Sequence, residues 1–156
     1  MTDAAIRPAR PEEAAPVSAL ALRSKGHWGY DAAFLEACRD ELTWTPEECL
    51  EGRVQAIEAD GELAGCYVLD LRAVPEAELD ALFVDPPYIG RGIGKRLLDH
   101  ALNAAASAGC DTVRLDADPD AEPFYAAQGF RRIGSVPSGS VPGRVLPRLE
   151  LSRRPG

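Results

Sequence analysis

Between Val54 and Val84 short apolar-rich segments bounded by turn residues read as extended strands. Val54 to Ala59 and Leu63 to Leu71 flank Asp60-Gly61, a pair that favours a tight hairpin turn, and Glu76 to Val84 supplies a further strand. The pattern then changes. From Gly92 to Ala108, residues Ile93, Leu97, Leu98, Ala101, Leu102 and Ala105 form the stripe of a helix packed on one face, and Gly109 ends it. A helical crossover of this length returns the chain in the same direction, so Thr112 to Asp116 is predicted as a strand parallel to the one before the helix. Upstream, Ala5 to Pro8 reads as a short strand and Pro11 to Arg23 as a helix with Pro and two Glu residues in its first turn. Asp31 caps a helix running to Asp40, and Thr45-Pro46-Glu47-Glu48 is a capping box that opens a brief helix to Glu51. Phe130 to Ser135 and Val145 to Leu151 are the last predicted strands, joined through a loop of Pro, Gly and Ser. Strands and helices mixed in this way belong to the α/β or α+β class.

A length of 156 residues with 46% apolar side chains suits one domain, residues 1–156, with a sizeable core. No run approaches about 18 apolar residues and the N-terminus lacks the regions of a signal peptide, so a cytoplasmic protein with no membrane partner is expected. Four dispersed cysteines and two histidines, without a Cys-x-x-Cys, argue against zinc and disulfides, and no metal is expected. The net charge of -8 is uneven: residues 1–88 carry 7 basic and 18 acidic side chains, and the remainder 10 and 7. An acidic chain is a poor nucleic-acid binder, and its acidic first half favours a cationic small molecule.

The positive half contains Leu82-Phe83-Val84, a Pro-broken turn, and Ile89-Gly90-Arg91-Gly92-Ile93-Gly94-Lys95 opening the long helix. Glycines that admit a close ligand, followed by the unpaired N–H groups of a helix start, make a cradle for a diphosphate. A Walker loop is excluded because Ile89 and Arg96 stand where Gly and Ser or Thr are required. A dinucleotide fingerprint is excluded by Leu97 in place of its third Gly.

What remains resembles the acetyl-CoA loop of the GNAT superfamily of N-acetyltransferases, whose pattern is Gln or Arg, two residues, Gly, one residue, then Gly or Ala. Gly92 and Gly94 take the glycine places, and Ile89 departs from the Gln or Arg. A second block, Ala121-Glu122-Pro123-Phe124-Tyr125-Ala126-Ala127-Gln128-Gly129-Phe130, is similar to the family's later helix that carries Phe-Tyr and ends in Gly-Phe. The resemblance implies a mixed, mostly antiparallel sheet of six to seven strands flanked by about four helices. It also implies an enzyme that moves an acetyl group from acetyl-CoA to a primary amine of a small molecule, a peptide N-terminus or a lysine. A homodimer is compatible with it. The rival is a CoA-binding or ligand-sensing module without catalysis, and a third reading is a structural domain with an incidental glycine loop.

In the resembling fold the backbone of Leu82, Phe83 and Val84 pairs with the pantetheine arm, and the loop from Ile89 to Lys95, with Arg91 and Lys95, holds the phosphates. Asp118 and Asp120 hydrogen-bond the pantetheine amides or simply cap a helix, and Phe124 adjoins the cofactor. Tyr125 matches the general acid that protonates the departing thiolate. An alkylammonium is neutral about once in two to three thousand molecules at pH 7, a barrier of roughly 4 to 5 kcal/mol, so a base is needed. Glu78 stands on the strand leading into the loop, where several family members place a carboxylate, and Asp80 shares its face. On the acceptor side the resemblance places His27, Trp28 and Tyr30, whose aromatic rings suit a cation. It adds the loop from Ser138 through Ser140 to Arg144, with Arg144 for a substrate carboxylate. His100 reads as a boundary residue of the long helix.

Overall fold

The computed structural model describes residues 4–139 and 141–152. Seven strands form one sheet in the order β1-β2-β3-β4-β5-β7-β6: β1 Ala4–Pro8, β2 Val54–Ala59, β3 Glu62–Ala73, β4 Glu76–Val84, β5 Thr112–Asp116, β6 Arg131–Pro137 and β7 Val145–Ser152. Every neighbouring pair is antiparallel except β4 and β5, joined in parallel through the helix α4, Ile93–Ser107. Four further helices are present: α1 Ala14–Gly26, α2 Ala32–Cys38, α3 Pro46–Leu50 and α5 Glu122–Ala127. The described residues thus hold five α-helices where about four were expected, because α3 and α5 are each little more than a turn or two.

Local chemistry accounts for the helix starts. The Asp31 carboxylate accepts the Phe34 N–H at 2.8 Å, and Thr45 and Glu48 satisfy each other's backbone N–H groups at 3.2 Å. The helix predicted from Pro11 begins instead as a 3-10 turn, Pro11–Glu13, and becomes regular at Ala14. Pro16 falls in the first turn of α1, where a missing N–H has no partner to lose.

The sheet buries both faces. On one side α4 packs Leu97, Leu98 and Ala101 against Ile57, Tyr67, Leu69 and Leu79. On the other, α1 to α3 pack Val17, Leu20 and Trp44 against Val54, Cys66, Val68 and Ala81. Central β3 is buried on both faces from Ala64 to Leu69, which explains its almost continuous apolar run. His100, at the edge of α4, lies 2.7 Å through Nδ1 from the Tyr67 hydroxyl. No described helix is long and apolar enough to cross a membrane.

Close packing is tightest at Gly65, where a Cβ would meet the Phe83 carbonyl oxygen at 2.7 Å and Leu97 Cδ1 at 3.0 Å. Since the first obstacle is backbone, Gly65→Ala is expected to cost about 1 to 3 kcal/mol of stability in urea unfolding.

Two irregularities shape the sheet for function. The β3–β4 register slips between Val68–Ala81 and Leu69–Leu79, leaving Asp80 as the extra residue of a bulge. Alternation reverses across it: Leu79 belongs to the α4 core and Ala81 to the α1 core. Moreover, β4 and β5 pair only at Glu76–Glu78 with Thr112–Arg114, so the two strands part beyond Glu78.

Candidate active site

A cleft of about 610 Å³ occupies the gap between the parted strands. Its walls come from β4 after Leu79, the end of β5, the loop into α4, and α5. Leu82, Phe83 and Val84 pair with Tyr67, Cys66 and Gly65 on one side. Toward β5 the same stretch has no strand partner among the described residues, so an extended backbone edge faces the cleft.

At one end of that edge is the glycine loop. After the 3-10 turn Pro86–Tyr88, Gly90 and Gly92 adopt φ of +88° and +77°, a region that disfavours residues with a Cβ, and Gly92 is the N-cap of α4. Among the described residues, the N–H groups from Gly90 to Lys95 donate to no backbone carbonyl; the ladder starts with the Arg96 N–H to the Gly92 carbonyl at 3.2 Å. Six consecutive donors at the positive end of a four-turn helix are suited to an anion. Phe124 stands over this start, 3.7 Å from where a Gly94 Cβ would be. The long cations beside the loop have carboxylate partners: Arg91 is 3.7 Å from Asp60 and lies over the Tyr88 ring, while Lys95 is 2.8 Å from Asp99.

Tyr125 lines the middle of the cleft with only 7% of its surface exposed. Phe124 and Phe130 contact its ring edge-on at 5.1 and 5.6 Å, which fixes its plane. The hydroxyl has no hydrogen bond among the described residues, and burial raises its pKa well above the ordinary phenol value, so it is held protonated.

The carboxylates expected as base and neighbour are placed differently from each other. Both oxygens of Glu78 are held by Arg148, at 2.7 and 2.8 Å, and Arg148 also pairs with Asp116 at 2.8 Å. Glu78 is absent from the cleft wall, whereas the bulge turns Asp80 into it. Asp80 has no ion pair or hydrogen bond among the described residues. Crowding by surrounding protein, then the like charges of Asp70 and Glu78, push its pKa up to about 6 against the weaker pull of Arg53 and Arg72.

A third group closes the side of the cleft. Asp118 accepts the Tyr30 hydroxyl at 2.9 Å, Lys25 at 3.2 Å and Arg144 at 3.2 Å. Burial opposes its charge, but the Asp120 N–H, Lys25 and Tyr30 outweigh it and hold the carboxyl below the usual range. Arg144 also donates to the Tyr30 oxygen at 2.8 Å and stacks over Tyr30 and Phe34. Asp118 and Arg144, expected on pantetheine and on a substrate carboxylate, are thus engaged with each other and tie the β6–β7 loop to the α1–α2 loop. Asp120 lines the cleft and also receives the Tyr30 hydroxyl, at 3.3 Å. Trp28 lines the cleft, 53% exposed, with His27 against it at 5.5 Å. Ser140 lies outside the described residues.

The profile of the acetyltransferase (GNAT) family matches residues 21–130. The chain belongs to this family. Among known relatives, a peptidyl-lysine N-acetyltransferase, YjaB, from Salmonella typhimurium is 43% identical over 73 residues, 47% of this chain and 48% of its own. A glucosamine 6-phosphate N-acetyltransferase from Trypanosoma brucei brucei is 40% identical over 53 residues, 34% of this chain and 36% of its own. The matched stretches therefore span half or less of these relatives. The fold is shared along nearly the whole chain with the PaiA N-acetyltransferase of Thermoplasma acidophilum in complex with coenzyme A, at a TM-score of 0.78, 23% identity, and coverage of 96% and 99%.

Within the GNAT pattern Ile89 remains the departure: it lines the cleft, and its side chain has no hydrogen-bond donor. Residues that sequence reasoning did not single out are Lys25, Phe34, Glu41 and Arg148. Lys25 stands two residues before His27 and so had a local signal. Arg148 carries none, since Glu78 is brought to it by the sheet, and Phe34 and Glu41 meet Arg144 and Gly139 only through the β6–β7 loop.

Proposed function

We propose that this GNAT protein transfers the acetyl group of acetyl-CoA to a primary amine of a small molecule. The observation that carries the reading is one continuous cleft joining the N–H run of Gly90–Lys95, the open edge of Leu82–Val84, the Tyr125 hydroxyl and the Asp80 carboxylate. These residues fit the CoA molecule in order: backbone donors and a helix start for the diphosphate, a strand edge for the amides of pantetheine, and a hydroxyl without a partner among the described residues for the sulfur.

Acetyl-CoA supplies an activated acetyl thioester. The remaining tasks fall to the chain. Asp80 takes the proton that the amine nitrogen must lose; a carboxylate pushed up to about 6 is a better proton acceptor than an ordinary one and is still ionised at pH 7. Tyr125 Oη holds the proton that balances the departing sulfur. Burial raises the phenol pKa, but it destabilises a thiolate in the same pocket equally, so the proton need not climb the full gap. Glu78, clamped by Arg148, contributes negative charge that keeps the Asp80 pKa high.

The decisive experiment is thioester turnover against a panel of amines, amino acids and amino sugars, with CoA affinity measured by calorimetry. Binding of CoA without turnover of any acceptor would favour the non-catalytic module. Gly92→Val, which forces a β-branched residue to φ +77°, is expected to weaken CoA about tenfold or more while leaving the far-ultraviolet dichroism unchanged. Unchanged affinity would displace the diphosphate from this loop.

A further inference from the structure

The acceptor side of the cleft has an unbalanced charge. Its nearby cations, Lys25 and Arg144, both converge on Asp118 at 3.2 Å. Arg148 is divided between Glu78 and Asp116. Two carboxylates that line the cleft, Glu41 and Asp80, have neither an ion pair nor a hydrogen bond among the described residues. Asp80 is the proposed proton acceptor. Glu41 has no task in that chemistry.

Its position is nonetheless well defined. Glu41 lies in the connection between α2 and α3, anchored by the buried Leu42, whose N–H donates to the Cys38 and Arg39 carbonyls at 3.2 Å. Its Oε1 rests so close to Gly139 that a Cβ there would stand 2.6 Å away. The carboxylate is thus set against the backbone of the β6–β7 loop, in a cleft that also exposes the Trp28 ring. That the cleft is built for a ligand is shown independently by Tyr125, more than nine-tenths buried and facing it with an unpartnered hydroxyl.

Resting on the reading of the site as an amine acetyltransferase, we propose that Glu41 is a specificity-determining residue that selects acceptors carrying a second ammonium group, so that the preferred substrates are linear diamines. One nitrogen is deprotonated beside Asp80 and acetylated, while the other stays charged and is held by Glu41 through charge-assisted hydrogen bonds. The intervening methylenes and the distal cation are offered the Trp28 face. With Lys25 and Arg144 balanced by Asp118 together with Asp120, the surplus charge on this side is the negative charge of Asp80 and Glu41, which repels a free carboxylate, so α-amino acids are poor acceptors.

The test compares 1,5-diaminopentane, n-pentylamine and L-lysine. Wild-type enzyme is expected to favour the diamine over the monoamine about tenfold or more in kcat/KM, chiefly through KM, and to use lysine less well than the diamine. Glu41→Gln should collapse the diamine-to-monoamine ratio toward one, and rising salt should erode the wild-type ratio. An unchanged ratio in the variant, or no diamine preference in wild type, overturns the role of Glu41, while continued monoamine turnover leaves the acetyl-transfer reading intact. If no amine is turned over, that reading falls separately, and equilibrium dialysis of the diamine onto CoA-loaded protein decides for Glu41. Equal retention by wild type and Glu41→Gln overturns the proposal, and retention by wild type alone supports it.

Discussion

Tyr125→Phe is expected to lower turnover about tenfold or more while CoA affinity stays within a factor of about two and thermal stability stays level. The two effects have one cause. In the folded protein the hydroxyl has no hydrogen-bond partner among the described residues and lies on the cleft, where it contributes no bond to the fold and is useful to a ligand that brings an acceptor. Removing it costs the fold little and deprives the sulfur of its proton. Rates are to be measured in single turnover, where chemistry limits, with melting followed by differential scanning fluorimetry. A wild-type rate would reject the donor role; a fall in stability would mean that the hydroxyl is engaged by the protein.

Asp80→Asn is expected to produce the other large effect, a loss of about 100-fold in kcat/KM near pH 7. Asp80 is faced by Asp70 and Arg72 from β3, Glu78 from its own strand and Arg53 just before β2, and burial and the balance of these charges leave its pKa at about 6. Wild-type kcat/KM should therefore rise as Asp80 ionises through about pH 6, on top of the slope from the amine's own ionisation. In Asp80→Asn only the latter slope should remain. The variant's defect should then be full above about pH 7 and shrink below about pH 6, where wild-type Asp80 is itself protonated. A defect that stays the same on both sides of pH 6 would make Asp80 a positioning residue.

The same shift carries a stability signature of opposite sign. The fold raises the pKa of Asp80 above the value of about 3.9 in an unfolded chain, so between about pH 4 and pH 6 the native state keeps a proton that the unfolded state has released. Ionisation in this window weakens the wild-type fold. Asp80→Asn should be more stable than wild type above about pH 6 and show no such gain near pH 4.

Glu78 shows how a side chain's neighbours escape a linear reading. Its place on the strand before the glycine loop was legible, and with it the expectation of a base. The clamp by Arg148, 70 residues away, exists only because β7 inserts between β5 and β6, and no local pattern announces that order. The bulge at Asp80 is equally silent, since an Asp in an alternating strand looks the same whether paired or extra. Asp118 has a similar history: a sound helix cap by sequence, it became the meeting point of Tyr30, Lys25 and Arg144 through contacts spanning 88 residues and, in the other direction, 26.

What the sequence determined by itself was everything that depends on near neighbours along the chain. The Asp60-Gly61 hairpin, the caps at Asp31 and Thr45, the stripe of α4 and its glycine entrance all follow from interactions a few residues long, and they sufficed for the class of fold and for the geometry of the loop that opens α4. Tertiary structure decided where β4 and β5 part, which carboxylate turns into the gap, and which charges are left without partners. Those outcomes depend on pairing between distant strands and on competition among ion pairs, and the free energy of a charge is set by whatever the fold brings beside it.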